Sequence, residues 1–167
     1  RLGIGRSFQR TNIFPRLSVF DNVQIAVLSG QGKCTNLLQS AENMVRDETG
    51  EILETIGLGD RKETLAGLLA HGDQRRLEIG IALASRPVLL LLDEPTAGMS
   101  PEETVKTTNL IQSLARERDL TVLFIEHDMS VVFSISEKIR VTHSTSLKVT
   151  AKPEEVRANE EVQRVYI

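Results

Sequence analysis

Two acids leave the most apolar run of the chain: in "LLLLDEPTAGMSP", Leu89 to Pro101, Asp93 and Glu94 follow four leucines. Successive residues leaving a strand point in different directions, so one carboxylate can hold a cation while its neighbour addresses a water molecule. Magnesium suits the first role, because it keeps several waters and is bound through one or two carboxylates plus substrate phosphates. A carboxylate aimed at the water would act as general base, a contribution of about a hundred- to ten-thousandfold in rate. Acids after a strand also serve as solvated turn residues or helix caps, so the pair alone leaves both readings open. His127 follows a second apolar run, in "VLFIEHDMS", and Gly72 stands in "LAHGDQRRLEIG", ahead of an amphipathic stretch. Backbone amides at a helix N-terminus favour phosphate, yet an isolated histidine or glycine is as well explained by an ordinary surface or an ordinary helix start.

The elements around these residues would have to bring them to one place. "VLLLL" at 88–92 and "TVLFI" at 121–125 read as strands buried on two faces. Between them Ser100 can cap a helix, Pro101 suits its first position, Glu103 completes a capping box, and Val105, Thr108, Ile111 and Leu114 form the inward stripe. Strand, helix, strand in that order predicts a βαβ unit with a parallel sheet and a right-handed crossover. Such sheets bind ligands at the carboxyl ends of their strands, which is where Asp93, Glu94, Glu126 and His127 fall.

The first half reads as mostly helical. Ser18 and Asp21 make a capping box ahead of Val19, Val23, Ala26 and Val27. A second helical pattern runs from Leu37 to Ile56 and breaks at "GLGD", 57–60. A third helix starts near Gly72, carries Leu77, Ile81 and Ala84 inward, and stops before Pro87. Arg75 and Arg76 are most simply a solvated face of it.

Composition sets outer limits. At 167 residues, 40% hydrophobic and 26% charged, the chain has the size and make-up of one soluble domain. A net charge of -3 from 20 basic and 23 acidic residues leaves no electrostatic footprint for nucleic acid or anionic lipid. No apolar run approaches the roughly 18 to 20 residues that would span a bilayer, so direct membrane insertion is not expected. The single cysteine, Cys34, allows no internal disulfide, and a cytoplasmic setting fits best. His71 and His143 show no metal-ligand spacing with each other or with Cys34.

With these pieces in order, the chain resembles the nucleotide-binding subunits of ATP-binding cassette (ABC) transporters. Leu69, Ala70, His71, Gly72 and Asp73 occupy the signature that usually reads Leu-Ser-Gly-Gly-Gln. Gln9, in "GRSFQR", looks like the Q-loop glutamine; Asp93 and Glu94 match the Walker B aspartate and the catalytic glutamate. "TAGMS" matches the D-loop, with Ser100 where aspartate is commoner, and His127 matches the switch histidine. The resemblance implies ATP and Mg2+ as cofactors. Asp93 and Gln9 would face the metal, with Glu94, His127 and Gln9 catalytic. Ala70, His71, Gly72, Asp73 and Ser100 would touch nucleotide held by a second nucleotide-binding subunit, in a head-to-tail dimer. Transmembrane permease subunits would be the other partners, with the subunit peripheral on the inner face of the membrane and no nucleic acid bound. Within the family, "FQRTNIFPRLSVFDNVQIA", "DEPTAGMSPEET" and "FIEHDMSVV" look most like the ATPases of importers of branched-chain amino acids and related amides.

The implied fold is an α/β, P-loop-type parallel sheet with an inserted helical subdomain. The resemblance covers 1–167 as a partial ATPase domain, with 10–84 helical, 85–142 core sheet and 143–167 a C-terminal hairpin and helix. Departures accompany it. The phosphate loop G-x-x-x-x-G-K-[ST] has only a decoy, "VLSGQGKC", in which Val27 replaces the first glycine and Cys34 the hydroxyl. The start at Arg1 reads as mid-pattern, so a fragment is expected, and these residues alone are expected to show no appreciable ATPase activity. Thr145 and Ala151 stand where turn glycines are usual. Two rivals stay open: an ATPase of DNA repair or chromosome structure, and a non-enzymatic, partner-binding remnant.

Overall fold

The computed structural model describes residues 3–6, 12–31, 45–117, 120–143 and 146–166. It divides into two compact units, 1–125 and 126–167. In the first unit, β1 (Ile4–Arg6), β2 (Leu89–Asp93) and β3 (Thr121–Ile125) form a parallel sheet in the order β1-β2-β3. Ile4 pairs with Leu89, Leu89 with Thr121, and Asp93 with Ile125. Helix α4 (Pro101–Glu117) connects β2 to β3, completing the expected βαβ unit. The short β1 was not anticipated: three residues ending in arginine carry too little period-2 pattern to be read as a strand.

Between β1 and β2 the described residues form three α-helices that pack on one another: α1 (Val19–Gly30), α2 (Arg46–Thr55) and α3 (His71–Leu83). Helix α1 begins as its sequence dictates, Asp21 N–H donating to Ser18 Oγ at 3.0 Å while Ser18 N–H donates back to Asp21. Val19, Val23 and Val27 are fully buried beneath it, and Ile52, Leu53 and Ile56 bury the matching face of α2. The part of the second helical pattern before residue 45 lies outside the described residues, as do Gly32, Lys33 and Cys34 of the decoy loop.

Three expectations are corrected. Strand β3 is not buried on both faces: Leu123 and Ile125 are each 60% exposed, whereas Leu90 and Leu92 of β2 are buried. Residues at paired register share a face, so Ile4, Leu123 and Ile125 define one side of the sheet. Among the described residues β3 is an edge strand of this sheet. Val105 is 58% exposed; the buried stripe of α4 is Thr107, Leu110, Ile111 and Leu114, which keeps Ile111 and Leu114 of the expected one and replaces Val105 and Thr108. Arg75 is not solvated but buried, its Nη1 2.8 Å from buried Glu78. The interior polar pair is admitted because each charge finds the other.

The second unit holds α5 (Met129–Ile135), an antiparallel hairpin of β4 (Ile139–His143) and β5 (Ser146–Ala151), and two short helices, α6 (Pro153–Arg157) and α7 (Glu160–Tyr166). Asp128 caps α5 by accepting from Ser130 N–H at 2.8 Å and Ser130 Oγ at 2.6 Å, bonds that hold its carboxyl below the ordinary range. Arg157 of α6 stacks 4.6 Å from the Phe133 ring centroid. Thr145, expected to change the hairpin turn, lies outside the described residues.

Candidate functional site

Strand β2 delivers the acid pair. Its last residue, Asp93, is half-buried and shares the parity of Leu89 and Leu91, so it ends the strand on the side where Leu123 and Ile125 stand exposed. Glu94 breaks the strand: its φ of 47° lies in the left-handed region that a residue with a Cβ rarely adopts. Its N–H nevertheless continues the parallel ladder by donating to Ile125 O at 2.9 Å, and its carbonyl accepts from Ala97 N–H at 3.2 Å. This left-handed residue, held by hydrogen bonds through both its N–H and its carbonyl, ends the strand between the two acids. Among the described residues no cluster of three or more His, Cys, Asp or Glu could cage a metal. One carboxylate at a strand end is the donor set that fits magnesium shared with phosphates rather than a protein-caged ion.

The candidate signature forms the entrance to α3. Ala70, at the N-cap, offers no side-chain acceptor, so the first amides of the helix must be satisfied from elsewhere. Gly72 N–H donates to Glu103 Oε1 of α4 at 3.2 Å. Asp73 pairs with the next turn of its own helix, 2.5 Å from Arg76 Nη2, and lies 3.7 Å from Arg61 Nη1, while Arg76 also donates to Ile56 O at 3.0 Å. His71 is exposed and lies beside the D-loop glycine: a Cβ on Gly98 (φ 72°) would stand 3.7 Å from His71 Cε1. Ser100 caps α4 with the expected reciprocal bonds, Ser100 N–H to Glu103 Oε2 at 2.9 Å and Glu103 N–H to Ser100 Oγ at 3.4 Å. Hydrogen bonds from the Ser100 backbone and hydroxyl, and then from Gly72, hold the Glu103 carboxyl below its ordinary value.

The structure therefore brings Ala70, His71, Gly72 and Asp73 to one edge with Ser100, and Asp93 and Glu94 to the end of β2. Gln9 lies outside the described residues, and Asn12 and Phe14 further along are held by hydrogen bonds. Asn12 N–H donates to buried Glu78 at 2.6 Å, and buried Asn22 accepts from Phe14 N–H at 2.8 Å and donates to Phe14 O at 3.1 Å. These clamps were not foreseen. The Arg75 to Glu78 spacing was visible in the text, but nothing in it said that the pair would be buried. His127 belongs to the second unit, exposed, its N–H donating to Glu126 Oε2 at 3.1 Å.

A parallel sheet with an acid pair at a strand end, and a helical segment entering between its strands, define an α/β nucleotide-hydrolase architecture of the P-loop type. Comparison with known proteins agrees. The family described as ABC transporter matches residues 1–97. The high-affinity branched-chain amino acid transport ATP-binding protein LivG of Salmonella typhimurium is 37% identical across all of this chain, which spans 68% of LivG. BraF of Pseudomonas aeruginosa, of the same description, is 36% identical over the same shares of both chains. A dimeric ATP-binding cassette in a post-hydrolysis state with ADP and Pi superposes with a TM-score of 0.72 at 27% identity, covering 90% of this chain and 62% of that one.

The chain belongs to the ABC transporter family, and with it to the family's ATPases. Neither rival is favoured, since these relatives are transport proteins. No helix among the described residues is long and apolar enough to cross a membrane.

Proposed function

We propose that this chain is part of the ATP-hydrolysing subunit of an importer for branched-chain amino acids or related amides. The chemistry rests on one observation: Asp93 and Glu94 leave a parallel strand at its carboxyl end with Glu94 at φ 47°. The transport assignment rests on the likeness to LivG and BraF over the whole chain.

In this reading Asp93 holds Mg2+ and Glu94 orients and deprotonates the attacking water. Bound magnesium would supply charge neutralisation at the phosphates. Gln9 takes the Q-loop role that the resemblance implies, and His127, two residues beyond the end of β3, that of the switch histidine. The edge made by Ala70, His71, Gly72, Asp73 and Ser100 meets nucleotide held by a second subunit in a head-to-tail dimer. The present partner of the Gly72 amide is already an anion, which supports that part of the reading. Asp73 is engaged with Arg76, so its part would be played by backbone. The α1–α3 segment would dock on transmembrane permease subunits at the inner face of the cell membrane.

The test is transport itself. The intact protein, reconstituted in vesicles with its permease subunits and solute-binding protein, should drive ATP-dependent leucine uptake that Glu94→Gln abolishes. ATP hydrolysis without stimulation by any branched-chain amino acid would sink the solute assignment, and hydrolysis untouched by Glu94→Gln would sink the catalytic one.

A further inference from the structure

Helices α3 and α4 begin side by side, and a single carboxylate serves both starts. Glu103 Oε2 accepts from Ser100 N–H at 2.9 Å and Oε1 from Gly72 N–H at 3.2 Å. The positive ends of two helix dipoles thus share one anion. The contact is also close enough to dictate a residue type. A Cβ on Gly72 would stand 2.7 Å from Glu103 Oε1 and 2.9 Å from its Cβ and Cδ, distances that real Cβ atoms do not show. Gly72 is αR helical and needs no positive φ, so backbone freedom is not the reason for glycine here.

We propose that Glu103 is a positioning residue, a strut that fixes the α3 entrance and the Ser100 loop as one rigid edge, and that Gly72 must be glycine to admit this side chain of its own chain. The strut rests on geometry within the first unit. Its consequence for nucleotide rests on the reading of Gly72 and Ser100 as contacts to a partner's phosphates: with both amides on one carboxylate, the two contacts move together. Ligand access alone would also exclude a side chain at Gly72, but it would not require Glu103.

Two measurements on the intact protein separate the strut from that reading. In amide exchange, Glu103→Ala should speed both the Gly72 and the Ser100 N–H by at least about tenfold, the loss expected for bonds to a charged acceptor. Glu103→Gln, which has one acceptor oxygen, should protect only one of them. Acceleration at Ser100 alone overturns the strut.

In ATP-driven self-association, followed in a Glu94→Gln background that stops hydrolysis, Gly72→Ala should weaken association by about tenfold or more. The double variant Gly72→Ala/Glu103→Ala should associate no worse than Glu103→Ala alone, because the clash has been removed. Equal damage from Gly72→Ala with and without Glu103 overturns the packing reason for glycine. Exchange as expected with association indifferent to every variant leaves the strut standing and removes the nucleotide-contact reading instead. Thermal unfolding of each variant confirms that folded protein was compared.

Discussion

The acid-pair end of β2 and the entrance to α3 hold the two halves of the candidate chemistry, and they are built in opposite ways. At the α3 entrance the charges are knitted into the chain: Asp73 to Arg76, Arg75 to Glu78, Glu103 to two backbone amides. At the end of β2 it is the backbone that is knitted, through Glu94 N–H and C=O, while both carboxylates stay half-buried on a sheet whose nearby side chains, Leu123 and Ile125, are open. A rigid charged lattice suits a surface whose shape must be set before a partner meets it. A fixed backbone carrying less enclosed carboxylates suits a site where metal, water and phosphate complete the coordination. The difference teaches that one edge is fixed through its ion pairs and the other through its backbone hydrogen bonds.

That contrast can be broken, and the largest effect should come from the acid pair. Glu94→Gln should lower ATP turnover of the intact protein by about a hundredfold or more with little change in unfolding temperature, since general-base loss acts on rate alone. A large fall in stability instead would make Glu94 a structural residue.

At the α3 entrance the reverse is expected. Glu78→Ala strands buried Arg75 and the Asn12 N–H and should cost about 3–5 kcal/mol in denaturant unfolding. Arg75→Met with Glu78→Leu should cost much less, because no charge is then left buried without a partner. Equal loss in the single and double variants would mean that the pair contributes through shape rather than charge.

The sheet sharpens the comparison. Leu90→Ala should cost about 2–5 kcal/mol, and Leu123→Ala well under about 1 kcal/mol, measured by the same unfolding curves. A cost at Leu123 equal to that at Leu90 would mean that the open side is covered in the intact protein.

The smallest effect is in pH. Because the Glu103 carboxyl is held below its ordinary value, the stability it contributes is complete above that ordinary value. It fades as pH falls through the lowered one. Thermal unfolding of Glu103→Gln should lack that acid-side decline, and a profile identical to the parent's would remove the assigned bonds.

Much of this was legible in the text of the chain. Local rules dictated the Ser18 and Ser100 capping boxes, the helix after Ser100, the parallel βαβ unit and the placement of Asp93 and Glu94 at its carboxyl end. Each depends on residues within a few positions of one another, or on a periodicity that survives in one dimension. The misreadings share a cause. Val105 and Thr107 differ by about half a helical turn, and only the sheet decides which side of α4 faces inward. Arg75 looks like surface until packing buries it together with Glu78. Leu123 and Ile125 look like core until the layers are counted.

The sequence by itself determined the order of motifs, the starts of α1 and α4 and the acid pair at the strand end, because caps, turns and alternation are short-range physics. Tertiary structure alone decided that Glu103 reaches Gly72, 31 residues away, that Glu78 takes the Asn12 amide, and that one side of the sheet stays open. Such contacts depend on how helices and strands stack, and burial and partnership across that distance leave no trace in local pattern.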